Sequence, residues 1–268
     1  MAVMVAVLAV PVMASANNSW SKYHWDISTE DSTNTPLKFG DNLSTQWKSS
    51  LEGASTDWNQ SVLTNEVVSG TSTADCDPTL GQVEVCNSTY GDNGWLGIAQ
   101  VWIYRGRSGH IAQGLVKAND WYFNTPQYNT QSWRDYVICQ EVGHTLGLDH
   151  QDEKFSNDNL GTCMDYTSDP DAPDGRKGPK NNLHPNLHDY DVLFDKYGHL
   201  NGIDDGGKPK NGNGGGKGKP AGVGPKVDLN NPSAWGKAIK QDAQGNNSLF
   251  ERDLGNGQVL LTYVIWVK

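Results

Sequence analysis

Cys139-Gln140-Glu141-Val142-Gly143-His144-Thr145-Leu146-Gly147-Leu148-Asp149-His150 is the stretch that decides how this chain is read. On a helix, positions 140 and 144 are four apart and share a face, so Gln140 and His144 can grip one ion while Glu141 stands beside them within reach of a water. Gly147 can take the left-handed conformation that ends a helix, which lets the chain turn and bring His150 back as a third ligand. A metal held by three side chains keeps a fourth position open. Glu141 then has the place of a general base, and the chemistry such a set supports is attack of water on a polarised peptide carbonyl.

Working outward, Ser132 with Asp135 three residues on offers an N-terminal cap for this helix, which runs through Trp133 to Leu146. Upstream, Leu43, Trp47, Leu51, Ala54 and Trp58 recur at helical spacing, with Asp41 and Ser44 as capping residues. Downstream, a third helix is predicted over Asn186 to Tyr197. Strands are predicted around Tyr23 to Ile27, Val62 to Val68, Gln82 to Cys86, Ile98 to Tyr104 and His110 to Val116, separated by Gly, Asn and Asp clusters. That order of elements implies an α+β domain, a mixed sheet with helices packed on it.

The segment from Gln140 to His150 resembles the elongated zinc motif of metzincin metallopeptidases, H-E-x-x-H-x-x-G-x-x-H, at every defined position except the first. The four matching residues at these spacings should arise by chance in on the order of one chain in a thousand of this composition. Farther on, Cys163-Met164-Asp165-Tyr166 resembles the Met-turn of the same clan, and Asp189 to Gly198 is similar to the closing helix of matrixin catalytic domains. The resemblance covers roughly residues 20 to 200. It implies a metzincin-like twisted mixed β-sheet with three helices, the active-site helix being followed by the Met-turn. It also implies Met164 as an apolar floor under the ligands Gln140, His144 and His150. Tyr166 matches a tyrosine that astacins and serralysins use to bind the metal or to hydrogen-bond the oxyanion. Cys139 and Cys163 would then tie the active-site helix to the Met-turn. Cys76 and Cys86 would pair across a short turn-rich segment.

The departures from the motif bear on activity. A carboxamide oxygen is a neutral and weaker donor to zinc than an imidazole nitrogen, so affinity should fall at Gln140. One reading is a working ligand, as the gamete-lytic relatives in volvocine algae that carry Gln here suggest, giving an exported zinc endopeptidase. A second is a pseudoprotease that keeps the fold as a binding protein, and a third is a different bound metal such as Cu2+. Retention of Glu141 favours the first. Gln151, after His150, does not match the signature of the named branches and leaves the subfamily open. Asp149, Asp152, Glu153 and Asp158 could supply oxygen ligands to Ca2+, although a solvated acidic loop is the plainer reading.

The 268 residues suit one sizeable domain with a small appendage. A net charge of −10 argues against nucleic acid and anionic membrane as partners, and the resemblance implies a protein or peptide substrate. Residues 1–16 are uncharged and apolar and close on Ala14-Ser15-Ala16, a signal-peptide pattern with cleavage after Ala16. The usual basic residue before the apolar run is missing, so a start farther upstream or a membrane anchor stays open, though the run is short for a span. Export would place the four cysteines in an oxidising compartment, where residues alone permit three pairings. Residues 17–200 then read as the catalytic domain. Residues 201–226, rich in Gly, Lys, Asn and Pro, read as a linker, and 227–268 as a small C-terminal β module that docks on the main domain or pairs with another chain.

Overall fold

Two tryptophans show how the apolar spacing builds the core of this protein, described here from a computed structural model covering residues 18–19, 21–26, 36–72, 75–105, 109–198 and 227–268. Trp47 and Trp58 lie on one face of helix α1 (Thr45–Trp58) and are fully buried with Leu51 and Ala54. Each large side chain removed from water contributes on the order of 2–3 kcal/mol. The Trp58 indole also donates to the Cys139 carbonyl at 3.2 Å, which fixes α1 against the helix that carries the motif.

Among the described residues, nine strands form one mixed sheet and four α-helices accompany it, so the protein is α+β. The strands are β1 (His24–Trp25), β2 (Leu37–Asn42), β3 (Asn65–Ser69), β4 (Gln82–Ser88), β5 (Trp95–Tyr104), β6 (His110–Asn119), β7 (Lys237–Gln241), β8 (Asn247–Gly255) and β9 (Gln258–Trp266). Their order is β3-β2-β4-β6-β5-β9-β8-β7, with β1 also on β6. Strands β3, β2, β4 and β6 are parallel, whereas β5 and everything beyond it pair antiparallel.

Several sequence expectations shift. The motif helix is α3 (Gln131–Thr145), and its N-cap is Thr130, whose hydroxyl accepts from the Trp133 N–H at 3.2 Å. Ser132 instead donates to Asp171. Ser44 holds the N-cap position of α1 without a side-chain cap bond, while Asp41 accepts from the Leu43 N–H. A fourth helix, α2 (Asp120–Phe123), corrects the expected three. It is a single turn capped by Asn119, too short to show a period. Helix α4 (Leu187–Tyr197) begins after Asn186, which forms a reciprocal capping box with Asp189. Both expected disulfides, Cys76–Cys86 and Cys139–Cys163, are formed. Ile27, the apolar run of residues 1–16 and the linker of residues 201–226 lie outside the described residues. Among the described residues no helix is long and apolar enough to cross a membrane.

The C-terminal strands continue the sheet of the main body. Asn256 and Gly257 both have positive φ, 52° and 72°, which is the primed turn that matches the twist of a tight hairpin. The hairpin β8–β9 then adds to β5, with β9 running antiparallel from Trp95↔Trp266 to Tyr104↔Gln258. On the opposite face of the sheet from α3, Trp235 and Phe250 pack with Trp95, Ile98 and Val264.

Candidate metal centre

Helix α3 ends because Gly147 takes φ +93°, a conformation open to it for want of a Cβ. The Gly147 N–H then reaches the His144 carbonyl at 3.0 Å, and the Leu148 N–H reaches the Gly143 carbonyl at 3.2 Å. This paired closure reverses the chain within two residues and returns His150 to the helix it has just left. Gly143 is needed one turn earlier for another reason. A Cβ there would sit 2.5 Å from Met164 Sδ and 2.8 Å from Trp58, so Met164 packs directly on the backbone of the ligand helix.

Of the residues selected from the sequence, the structure places His144 against His150 and His150 against Tyr166. Gln140, Glu141, His144, His150, Met164 and Tyr166 are all buried. The Nε2 atoms of His144 and His150 approach to 2.9 Å with their rings at 89°. What sits on the other side of each ring decides the chemistry. His144 Nδ1 lies 2.9 Å from the Leu148 carbonyl, and His150 Nδ1 lies 2.7 Å from a Glu153 carboxylate oxygen. Both partners accept only, so both Nδ1 atoms carry the proton and both Nε2 atoms present lone pairs to the same point. Two facing lone pairs need a shared cation. Burial, and then the neighbouring His150, hold His144 well below its ordinary pKa, so a second proton is disfavoured.

Gln140 is likewise anchored on one side of its functional group. Its amide nitrogen donates to the Cys163 carbonyl at 2.6 Å and to the Tyr136 hydroxyl at 3.2 Å, which leaves Oε1 buried with no hydrogen-bond partner. Three neutral lone-pair donors, two imidazole and one carboxamide, are thus each locked by a bond on the far side of the group. Such outer bonds are how proteins aim metal ligands, and the donor set fits a zinc-type ion. Both Glu141 oxygens are likewise buried and unpartnered. Burial pushes that carboxyl well above the ordinary range. Gly97 on β5 makes room for it, since a Cβ there would lie 3.0 Å from Glu141 Oε1 and 2.5 Å from Val137.

Asp149, His150 and Glu153 also form a metal-capable group, with ligand atoms within 4.8 Å of one another. That group uses the Nδ1 side of His150. The Lys240 ammonium already meets it, 3.0 Å from Asp149 and 3.1 Å from Glu153. We therefore read Asp149 and Glu153 as carboxylates that orient His150 rather than as a second ion site. Burial raises the Glu153 carboxyl, but the hydrogen bonds from His150 and Lys240 and the Lys240 charge outweigh it and hold Glu153 below its ordinary value. Of the other acidic residues offered for Ca2+, Asp152 caps the Lys154 N–H and Asp158 lies beside Gly178.

Sequence reasoning missed Tyr136, Tyr263 and Lys240. Tyr136 was within reach, lying one helical turn before Gln140. Tyr263 stacks on His144 with centroids 4.1 Å apart and planes within 9°, and no local pattern in the sequence links those positions. Tyr166 lies 4.3 Å from His150, and its hydroxyl donates to the Val264 carbonyl at 2.9 Å. Burial raises its pKa well above the ordinary value, so it remains an O–H donor. No protein-family model matches this chain, and no curated protein matches it in sequence.

Proposed function

We propose that this chain is an exported, zinc-dependent endopeptidase with a metzincin-type catalytic domain. The observation that carries the reading is the facing of the His144 and His150 Nε2 lone pairs at 2.9 Å, with Gln140 Oε1 and the Glu141 carboxyl buried and unpartnered one helical turn earlier. Met164 packed under the ligand helix and the disulfide from Cys139 to Cys163 support the comparison with an active-site helix and Met-turn. The two disulfides support export.

In this reading Gln140, His144 and His150 hold the ion. When bound, zinc would lower the pKa of water and polarise the scissile carbonyl. Glu141 takes the proton from the attacking water on its carboxylate and passes it to the leaving amine nitrogen. A carboxyl raised by burial is suited to such two-way transfer near neutrality. The Tyr166 hydroxyl donates to the carbonyl oxygen as negative charge gathers there. The apolar enclosure of the site excludes competing water.

Metal analysis of protein purified without chelator tests the first step, with about one zinc per chain expected; copper in its place would give the site to another metal. Cleavage of an unfolded protein should then be blocked by chelator and absent in Glu141→Ala. Activity only in Gln140→His would make the natural chain a pseudoprotease. No metal in any form would end the catalytic reading.

A further inference from the structure

Strand β5 would be an edge of the sheet if β9 were not paired along it, and β9 lies over the site. Tyr263 of β9 covers the His144 ring face to face, and its ring centroid is 6.3 Å from that of His150. The adjacent Val264 carbonyl accepts the Tyr166 hydroxyl at 2.9 Å. That hydroxyl is the group which, in the peptidase reading, meets the carbonyl of the bond to be cut. Opposite these residues, Ala99 and Ile98 of β5 hold β9 in antiparallel register. An extended peptide is thus already seated between β5 and the candidate ligands, with one of its carbonyls on Tyr166.

In the peptidase reading an extended substrate would add to the β5 edge, and we infer that the chain's own β9 is the resident, inhibitory occupant of that edge. The inference rests on the peptidase reading of the site. Strand addition supplies affinity through the backbone and leaves alternate side chains to be chosen by pockets. The occupant therefore states a preference on the face turned to α3: an aromatic residue where Tyr263 meets His144 and an aliphatic residue two positions on, at Ile265. A substrate of that class, an unfolded aromatic-aliphatic segment, competes with β9 for the same edge.

The hairpin is also held by contacts away from the donors: Arg105 pairs with Glu251 of β8, and the Tyr128 hydroxyl donates to the Lys268 carbonyl at 2.7 Å. Opening of the β8–β9 hairpin from β5 would bare the edge while leaving α3, the His150 turn and Met164 in place. These lie in residues 131–166, apart in sequence from the hairpin.

A crosslink tests this in the full-length, zinc-loaded chain. Gln100 and Thr262 are register partners across β5 and β9, and Gln100 Nε2 reaches the Leu229 carbonyl on the face away from His144. In the double variant Gln100→Cys/Thr262→Cys, oxidation should lower cleavage of an unfolded protein at least tenfold, and mild reduction should restore it. The parent treated identically should not respond. Hydrogen exchange gives a readout apart from activity. The crosslink should slow exchange of β5 amides at residues 97–103 at least tenfold while leaving β2 unchanged. Equal cleavage by the locked and unlocked forms would overturn the inference, as would β5 exchange indifferent to the lock. If no form cleaves yet the lock slows β5 exchange, the hairpin opens as inferred and it is the peptidase reading that fails.

Discussion

Glu84 and Glu141 are both fully buried glutamates of one sheet-and-helix core, and they are opposite in every chemical respect. Glu84, on β4, accepts from the side chains of Thr71, Thr79, Asn42 and Gln82, three of them at 2.6 Å. Burial alone would raise its pKa. The four donors overcome it and hold the carboxylate below the ordinary value. Glu141, on α3, has no partner for either oxygen, and burial drives it well above. A folded chain tolerates an unsatisfied carboxyl in its core only where something other than stability retains it. Glu84 is therefore architecture: it binds β4 to Thr71, to Thr79 and to Asn42 of β2. In the proposed reading Glu141 is the group held ready for a reaction.

The largest effect expected from breaking this contrast is on activity. Glu141→Gln keeps the shape of the side chain and removes its acid-base function, so cleavage should fall by roughly 10^3-fold, within the range seen for a lost general base. Stability in chelator should match or exceed that of the parent, because no hydrogen bond is lost. Urea unfolding in EDTA alongside kcat/KM measures both, and a clear loss of stability would mean that Glu141 is structural after all. Next in size is Glu84→Ala. It strands the buried Gln82 amide and frees the part-exposed donors Asn42, Thr71 and Thr79, and should cost about 2 kcal/mol in unfolding free energy, with zinc content of the folded protein unchanged. A loss under 1 kcal/mol would remove the distinction drawn between the two residues.

Gln140→His sharpens the site side of the comparison. Imidazole is the better zinc donor, so affinity measured by competition with a chromophoric chelator should rise roughly tenfold to a hundredfold, the scale of changes made around metal ligands. The same change removes the amide that donates to the Cys163 carbonyl and the Tyr136 hydroxyl. The metal-free protein should therefore lose about 1 kcal/mol. Tighter zinc binding without that loss would show that Gln140 is not anchored as described.

Much of this was legible in the residues, and the parts that were not share a cause. The α1 and α3 helices, the strands from β4 to β6 and the turn at Gly147 follow from short-range periodicity and from glycine. So does the meeting of His144 with His150, because one tight turn returns the chain to the helix it has just left. The fold class agrees at the level of α+β. Strand β2 was missed because Leu37–Asn42 alternates weakly and carries Gly40, whose missing Cβ makes room for the Glu84 carboxylate. The Thr130 cap was displaced by Ser132, which had an equally good side chain but another partner. The role of Tyr263 was beyond any local pattern. It depends on β9 returning to β5 across more than 150 residues of sequence separation, and sequence alone left the C-terminal β element free to dock or to pair elsewhere.

Asp165 stands between the two glutamates and gives the smallest and most direct test of the rule that separates them. Its Oδ2 accepts from the Leu160 N–H at 2.9 Å and from the Asn182 side chain at 2.8 Å, whereas Oδ1 is buried with no partner. Burial is the larger influence and lifts it to about 6 from 3.8, although the two donors pull the other way. A raised folded-state pKa contributes stability that is fully present below pH 3.8 and is lost as the pH climbs through 6. Asp165→Asn removes that dependence, so the variant should gain on the parent by roughly 1–2 kcal/mol between pH 4 and pH 7. Denaturant midpoints for both proteins at four pH values across that interval measure it. A difference that stays flat with pH would mean that the bare oxygen is solvated and that half-satisfaction does not place Asp165 between Glu84 and Glu141. A difference of the expected sign would show that the pairing of each oxygen, rather than burial as such, separates the carboxylates that hold this fold from the one that serves its site.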